Sequence, residues 1–149
     1  MRRRQLLPLV LLGAEDEEPV EGRTRLQKLM FLIQKRMQEQ GDSLDWGYPF
    51  RAYDYGPFAK ELYDDLDRLR HRGLVEERER HLDDDVIQYD YVLTPKGQEF
   101  IREELEERRP DGLAETAETV KDGFNDVPLQ QLIDYVYTEY PEYAENSVL

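Results

Sequence analysis

Apolar residues recur along the chain with two different periods, and the switches between them outline the fold. Leu26, Leu29, Met30, Ile33 and Met37 stack on one side of a helix. Phe31 and Leu32 lie off that stripe, so Leu29 to Ile33 is an unbroken apolar run. A helix that is apolar over so much of its circumference is one that other elements pack on. Thr24 is expected to cap its start and Gly41 to end it in a left-handed turn. Ahead of it, Leu6 to Leu12 supplies an earlier core helix, with Pro8 tolerated near its first turns.

Past Gly41 the period changes. Trp46 and Tyr48 are expected to cover one edge of the core, and Phe50 to Tyr55 alternates as a short strand does. Gly56-Pro57 is expected to open the next helix, over 57–72, because proline suits a first helical turn. Phe58, Leu62, Leu66 and Leu69 share its apolar face, and Gly73 stops it. Leu74 to His81 and Val86 to Thr94 then read as a hairpin around Asp83-Asp84-Asp85. Ile87, Tyr89, Tyr91 and Leu93 line one face of its second strand. Thr94-Pro95 starts a further helix anchored by Phe100, Ile101 and Leu105. After the break at Arg109-Pro110-Asp111-Gly112, two amphipathic helices follow. Leu113, Ala117, Val120 and Phe124 mark one; Leu129, Leu132, Ile133, Val136 and Tyr140 mark the other. The tail from Tyr143 is expected to be loose unless it docks.

This order predicts an α+β chain, mainly helical: a winged helix-turn-helix-like domain with a β-hairpin wing and extra C-terminal helices. We divide it at residue 109, with a core over 1–109 and a two-helix appendage and tail over 110–149.

Charge changes the picture. Acidic residues number 34 against 20 basic ones, for a net charge of −14. They recur in every segment, as in proteins of salt-loving organisms, and we expect a halophilic archaeal source. Unscreened repulsion then makes folding salt-dependent. The melting temperature should rise by about 5 °C or more between dilute buffer and molar potassium chloride. A flat series would remove that reading. Arg2-Arg3-Arg4 ahead of an apolar run imitates an export signal, but the run is short, no small-residue cleavage pattern follows, and acids come at once. The expectation is a cytoplasmic chain with no membrane span.

A closer likeness lies in two motifs. Gly22-Arg23-Thr24-Arg25-Leu26-Gln27-Lys28-Leu29-Met30-Phe31-Leu32 precedes Tyr53-Asp54-Tyr55-Gly56-Pro57-Phe58-Ala59-Lys60-Glu61-Leu62. Together they resemble the "LQKL…YGP" pattern of the YwgA-like and SocA (Panacea)-like proteins. Tyr135-Val136-Tyr137 with Tyr140-Pro141-Glu142 is similar to the YwgA-like set. The resemblance implies a small winged-helix-like protein, in some members tied to toxin–antitoxin pairs, and it implies no catalytic residue.

The chemistry of the sequence is sparse. No cysteine is present, so disulfides, thiolate metal sites and cysteine nucleophiles are excluded. His71 and His81 are the only imidazoles. There is no glycine-rich phosphate loop and no serine–histidine–aspartate constellation. We therefore expect no enzyme, no cofactor and no metal. Two partner readings follow. As a DNA-binding regulator, the chain would touch phosphates of double-stranded DNA through Lys60, Arg68 and Arg72 on the helix before the wing, and Arg78 and Arg80 on the wing. Against that, Glu61, Asp64, Asp65 and Asp67 are expected beside them on the outward side and nearly cancel their charge. The alternative is an antitoxin-like or adaptor module that binds a protein partner and not DNA. A homodimer is expected through Leu129, Leu132, Val136 and Tyr140.

Overall fold

The computed structural model describes residues 2–83, 85–105 and 110–148. Asp84, Arg109 and Leu149, and the side chain of Leu105, lie outside the described residues. In chain order the elements are α1 (Leu6–Glu17), β1 (Val20–Glu21), α2 (Arg23–Glu39), β2 (Arg51–Tyr53) and β3 (Gly56–Phe58). Then come α3 (Lys60–His71), β4 (Val75–Asp83), β5 (Val86–Leu93), α4 (Pro95–Phe100), α5 (Leu113–Phe124) and α6 (Leu129–Glu139). The chain is thus α+β and mainly helical, with two small antiparallel sheets.

Two helices make the centre. Leu26, Leu29, Met30, Leu32 and Ile33 of α2 are fully buried, so the long apolar run does what its width implies. α1 is equally buried: Leu6, Leu7, Leu9, Leu11 and Leu12 have no exposed surface. α5 lies against both, and α6 lies against α2. Leu113, Ala117, Val120, Leu132 and Val136 join the same cluster as the residues of α1 and α2. The segments before and after residue 109 share one core.

Helix starts and stops follow local chemistry, with two corrections. The first concerns Thr24: α2 begins at Arg23 with Gly22 as its N-cap, so Thr24 lies inside the helix and does not cap it. The far end is as expected, with Gly41 at φ +103°. The second concerns Pro57, which does not open a helix. Arg51, Ala52 and Tyr53 pair with Phe58, Pro57 and Gly56 in a tight two-stranded ribbon, and α3 starts at Lys60. An edge strand tolerates proline because its missing N–H is not needed there.

The hairpin forms as read, and β1 adds to it in the order β1-β5-β4. β5 is therefore a central strand. Near its end Asp90 and Val92 are buried along with Tyr91 and Leu93, while Ile87 at the tip is exposed, so the alternation of faces is lost at both ends. Thr94 caps α4, its hydroxyl oxygen accepting from Gly97 N at 3.0 Å. α4 runs on into a wider π-type turn at Ile101–Leu105. The tail does dock: Val148 N donates to Asp54 O at 2.9 Å, and Asn146 Nδ2 to Ala52 O at 3.3 Å.

α1 ends abnormally. Its backbone extends at Ala14, and Glu15, Asp16 and Glu17 all take positive φ. Each such residue costs roughly 1–2 kcal/mol in a non-glycine chain. The turn is held from α5: Lys121 Nζ donates to Leu12 O at 3.2 Å and to Ala14 O at 2.8 Å. Glu15 N donates to Glu118 Oε2 at 2.9 Å. Burial pushes the Lys121 amine down to about 8 even with four acids nearby.

Candidate functional site

The five basic residues expected to meet phosphate do not form a free positive patch. Lys60 is exposed at the start of α3 and has no ion pair among the described residues. Arg68 donates to Asp65 at 2.8 Å, and the Arg72 guanidinium lies 5.3 Å from the centre of the Phe100 ring. Arg78 is 3.3 Å from Glu76, and Arg80 is 2.9 Å from Glu21 and 3.3 Å from Asp90. Binding a duplex through Arg68, Arg78 and Arg80 would set phosphates against the chain's own carboxylates for the same cations.

Asp65 itself is a correction. It was expected to face outward, yet it is 0 % exposed. Arg4 Nε and Gln5 Nε2 donate to it at 2.8 and 3.1 Å, the Tyr48 hydroxyl at 2.9 Å. The first turn of the chain folds back over α3 and brings Arg4 and Gln5 with it, while Tyr48 comes from the stretch after α2. Burial pushes the Asp65 carboxyl up, but the hydrogen bonds from Arg4, Tyr48 and Gln5 outweigh it and hold the group below the usual carboxylate range.

The expected dimer stripe lies mostly inside the chain. Leu132 and Val136 are fully buried within the chain, and Tyr140 packs edge-on against Phe31 with ring centres 5.2 Å apart. Only Leu129 stays exposed. The face was amphipathic because α2 covers it, and a second copy is not needed to bury it.

Leu129 instead belongs to an open groove of about 440 Å³ between the hairpin tip and the β1–α2 junction. Leu82, Val86, Ile87 and Leu129 line it and are 50, 52, 41 and 39 % exposed. Four large aliphatic side chains around one concavity are uncommon on so polar a chain. The floor is rigid. Arg25 donates to Phe124 O and Val127 O, each at 2.7 Å, tying α2 to the α5–α6 turn. Arg23 lies 4.0 Å over the Tyr89 ring and donates to the Tyr91 hydroxyl at 3.1 Å; that hydroxyl donates to Glu77 at 2.7 Å. Burial and the Glu77 bond raise the Tyr91 phenol, with Arg23 opposing, so it stays protonated.

A smaller cavity of about 170 Å³ lies where α2 meets the β2–β3 ribbon. Lys28 lines it and is 2 % exposed. Burial alone pushes its amine down to about 8. Tyr53, Tyr55, Phe58 and Tyr63 supply the walls, with Tyr53 stacked on Phe58 at 5.2 Å and Phe58 edge-on to Tyr63 at 5.4 Å. Gly56, at φ +99°, makes the turn. A Cβ there would sit 2.9 Å from the Tyr137 ring and 3.4 Å from Lys28 Cε, so only glycine fits. Sequence reading missed this site. Its one signal was a lysine on α2 directly before the apolar run, followed by Tyr55-Gly56-Pro57.

No group of three or more histidine and carboxylate side chains fit to hold a metal occurs among the described residues. Nor is any helix among them long and apolar enough to cross a membrane. The architecture is that of a small mixed domain with recessed surfaces on either side of the start of α2. The chain belongs to the antitoxin SocA-like, Panacea domain family, whose pattern matches residues 26–143. That span runs from the first buried leucine of α2 to the turn after α6. A search of curated proteins returned no match.

Proposed function

We propose that the chain works without enzymatic chemistry, as an antitoxin-type binding protein whose partner is another protein. The observation that carries this reading is the groove lined by Leu82, Val86, Ile87 and Leu129 at the hairpin tip. An exposed aliphatic rim suits a protein surface, and the two arginines of the floor are already engaged, Arg25 by backbone carbonyls and Arg23 by Tyr89, Tyr91 and Glu77. The net charge of −14 favours a basic partner and speeds its encounter. The family's antitoxin description supports the same direction. We also read α2, α3 and the β4–β5 hairpin as a winged-helix arrangement. Its support is the sheet order β1-β5-β4, in which the short first strand closes on the second strand of the hairpin. A cytoplasmic site of action goes with this reading.

The test is co-expression with the protein it is thought to neutralise, followed by co-purification. Leu82→Asp with Ile87→Asp should abolish the complex, since central apolar contacts are each worth about 2 kcal/mol or more. Both positions are exposed, so the melting temperature of the free chain should hardly move. An undiminished complex in the double variant would place the partner elsewhere. A duplex DNA shift at micromolar protein that is lost in Arg68→Ala would favour the regulator instead.

A further inference from the structure

Lys28 and Lys121 are both buried amines, and the contrast between them is informative. Lys121 donates to two carbonyls at ordinary distances and closes the end of α1. Lys28 makes a single hydrogen bond among the described residues, to Pro57 O at 3.5 Å. An ammonium carries three donors, so two of them have no acceptor among the described residues. No carboxylate pairs with it among the described residues; Asp54, the nearest acid along the cavity, stands on its exposed rim. A second donor waits close by. The Tyr137 hydroxyl is buried and has no hydrogen-bond partner among the described residues. Its oxygen and Lys28 Cε both lie within 3.6 Å of the point that a Gly56 Cβ would occupy.

A buried cation with unfilled donors destabilises a fold unless something supplies the missing acceptor. Here a missing acceptor has space beside it, because Lys28 is one of the residues that line the cavity. The size of that cavity limits what enters. An apolar cavity of about 150 Å³ takes up a benzene ring, and this one measures about 170 Å³ with aromatic walls.

We propose that the cavity between α2 and the β2–β3 ribbon is a binding site for a small organic carboxylate, its anionic head on the Lys28 ammonium and its flat or aliphatic body against Tyr53, Phe58 and Tyr63. The acid can be a free molecule or the terminal carboxylate of a peptide, since both present one carboxylate on a body of one side chain's size. The site adjoins the groove at the hairpin tip through Thr24 but uses different anchoring residues, and neither reading depends on the other.

The experiment is calorimetric titration of the full chain with sodium benzoate, and with benzamide as the uncharged match. Benzoate should bind, and benzamide should bind at least about tenfold more weakly, because only the anion answers the ammonium. Lys28→Met should abolish benzoate binding and at the same time raise the melting temperature, since it removes an unpaired buried charge. A structural role alone would lower it. Gly-Gly-Phe with a free carboxylate, against the same peptide amidated, separates the two sources. Tighter binding of the free peptide acid than of benzoate assigns the site to a chain end, and the reverse assigns it to a free acid. If Lys28→Met does not fold, Tyr53→Ala at the exposed rim carries the test and should weaken benzoate several-fold. No heat from benzoate at millimolar concentration on folded wild type, equal binding of benzamide, or benzoate binding retained in Lys28→Met would overturn the proposal.

Discussion

Replacing Asp65 with alanine should destabilise the chain by about 3–5 kcal/mol, the usual effect of removing one partner from a buried ion pair. The loss is large because four donors converge on this carboxylate. Arg4, Gln5, Tyr48 and Arg68 all lie within 3.1 Å of it. Without it, the Gln5 amide and Tyr48 hydroxyl stay buried with no acceptor. A urea titration followed by circular dichroism measures the change; a shift under about 1 kcal/mol would mean that water replaces the carboxylate. The same group sets the acid limb. Its folded pKa lies below its unfolded value, so its contribution is fully present above the unfolded pKa. That contribution fades as pH falls through the folded value. Asp65→Asn should therefore flatten the stability–pH curve below about pH 4, where free aspartate titrates.

The second large effect is expected at Leu29. Leu29→Ala in the middle of α2 should cost about 2–5 kcal/mol, since the side chain is fully buried where α5, α6 and the ribbon press on the helix. Set against a total of about 5–15 kcal/mol for a domain, this leaves little in reserve. Glu99→Ala, at an exposed position on α4, is the control and should stay within about 0.5 kcal/mol of wild type. An unchanged melt for Leu29→Ala would show that the organising helix is a different one.

What the sequence made legible was set by the range of the forces involved. Apolar spacing located α2, α3, α5 and α6, because each has one face turned to a common core and periodicity reports that face directly. The Thr94-Pro95 start and the Gly73 stop were legible because capping is decided within a few residues. Pro57 misled for the same reason. Its local preference for a helix start was overruled by pairing with Ala52 across the ribbon. Asp65 looked like a surface acid because its neighbours in α3 are charged. Its partners Arg4 and Gln5 come from about sixty residues away, and no local pattern carries that information. The stripe on α6 has the same limit: amphipathicity shows that a face is covered, not whether the cover is intramolecular. Arg78 and Arg80 fall on the hairpin as read, but the acid partners of Arg80 on β1 and β5 could only be seen once the sheet was assembled.

The Lys121 bridge to the end of α1 joins positions 109 residues apart, and synthesis gives that distance a duration. Ribosomes release the N-terminus first, at about 5–20 residues per second. α1 therefore emerges on the order of 5–20 s before the helix that covers it. Until α5 follows, the face of α1 that it covers, behind a cluster of arginines, is open to chaperones and proteases. Slowing translation between codons 13 and 121 lengthens the exposure without altering any contact in the finished molecule. Cellular abundance of this protein is then expected to depend on elongation rate as well as on equilibrium stability.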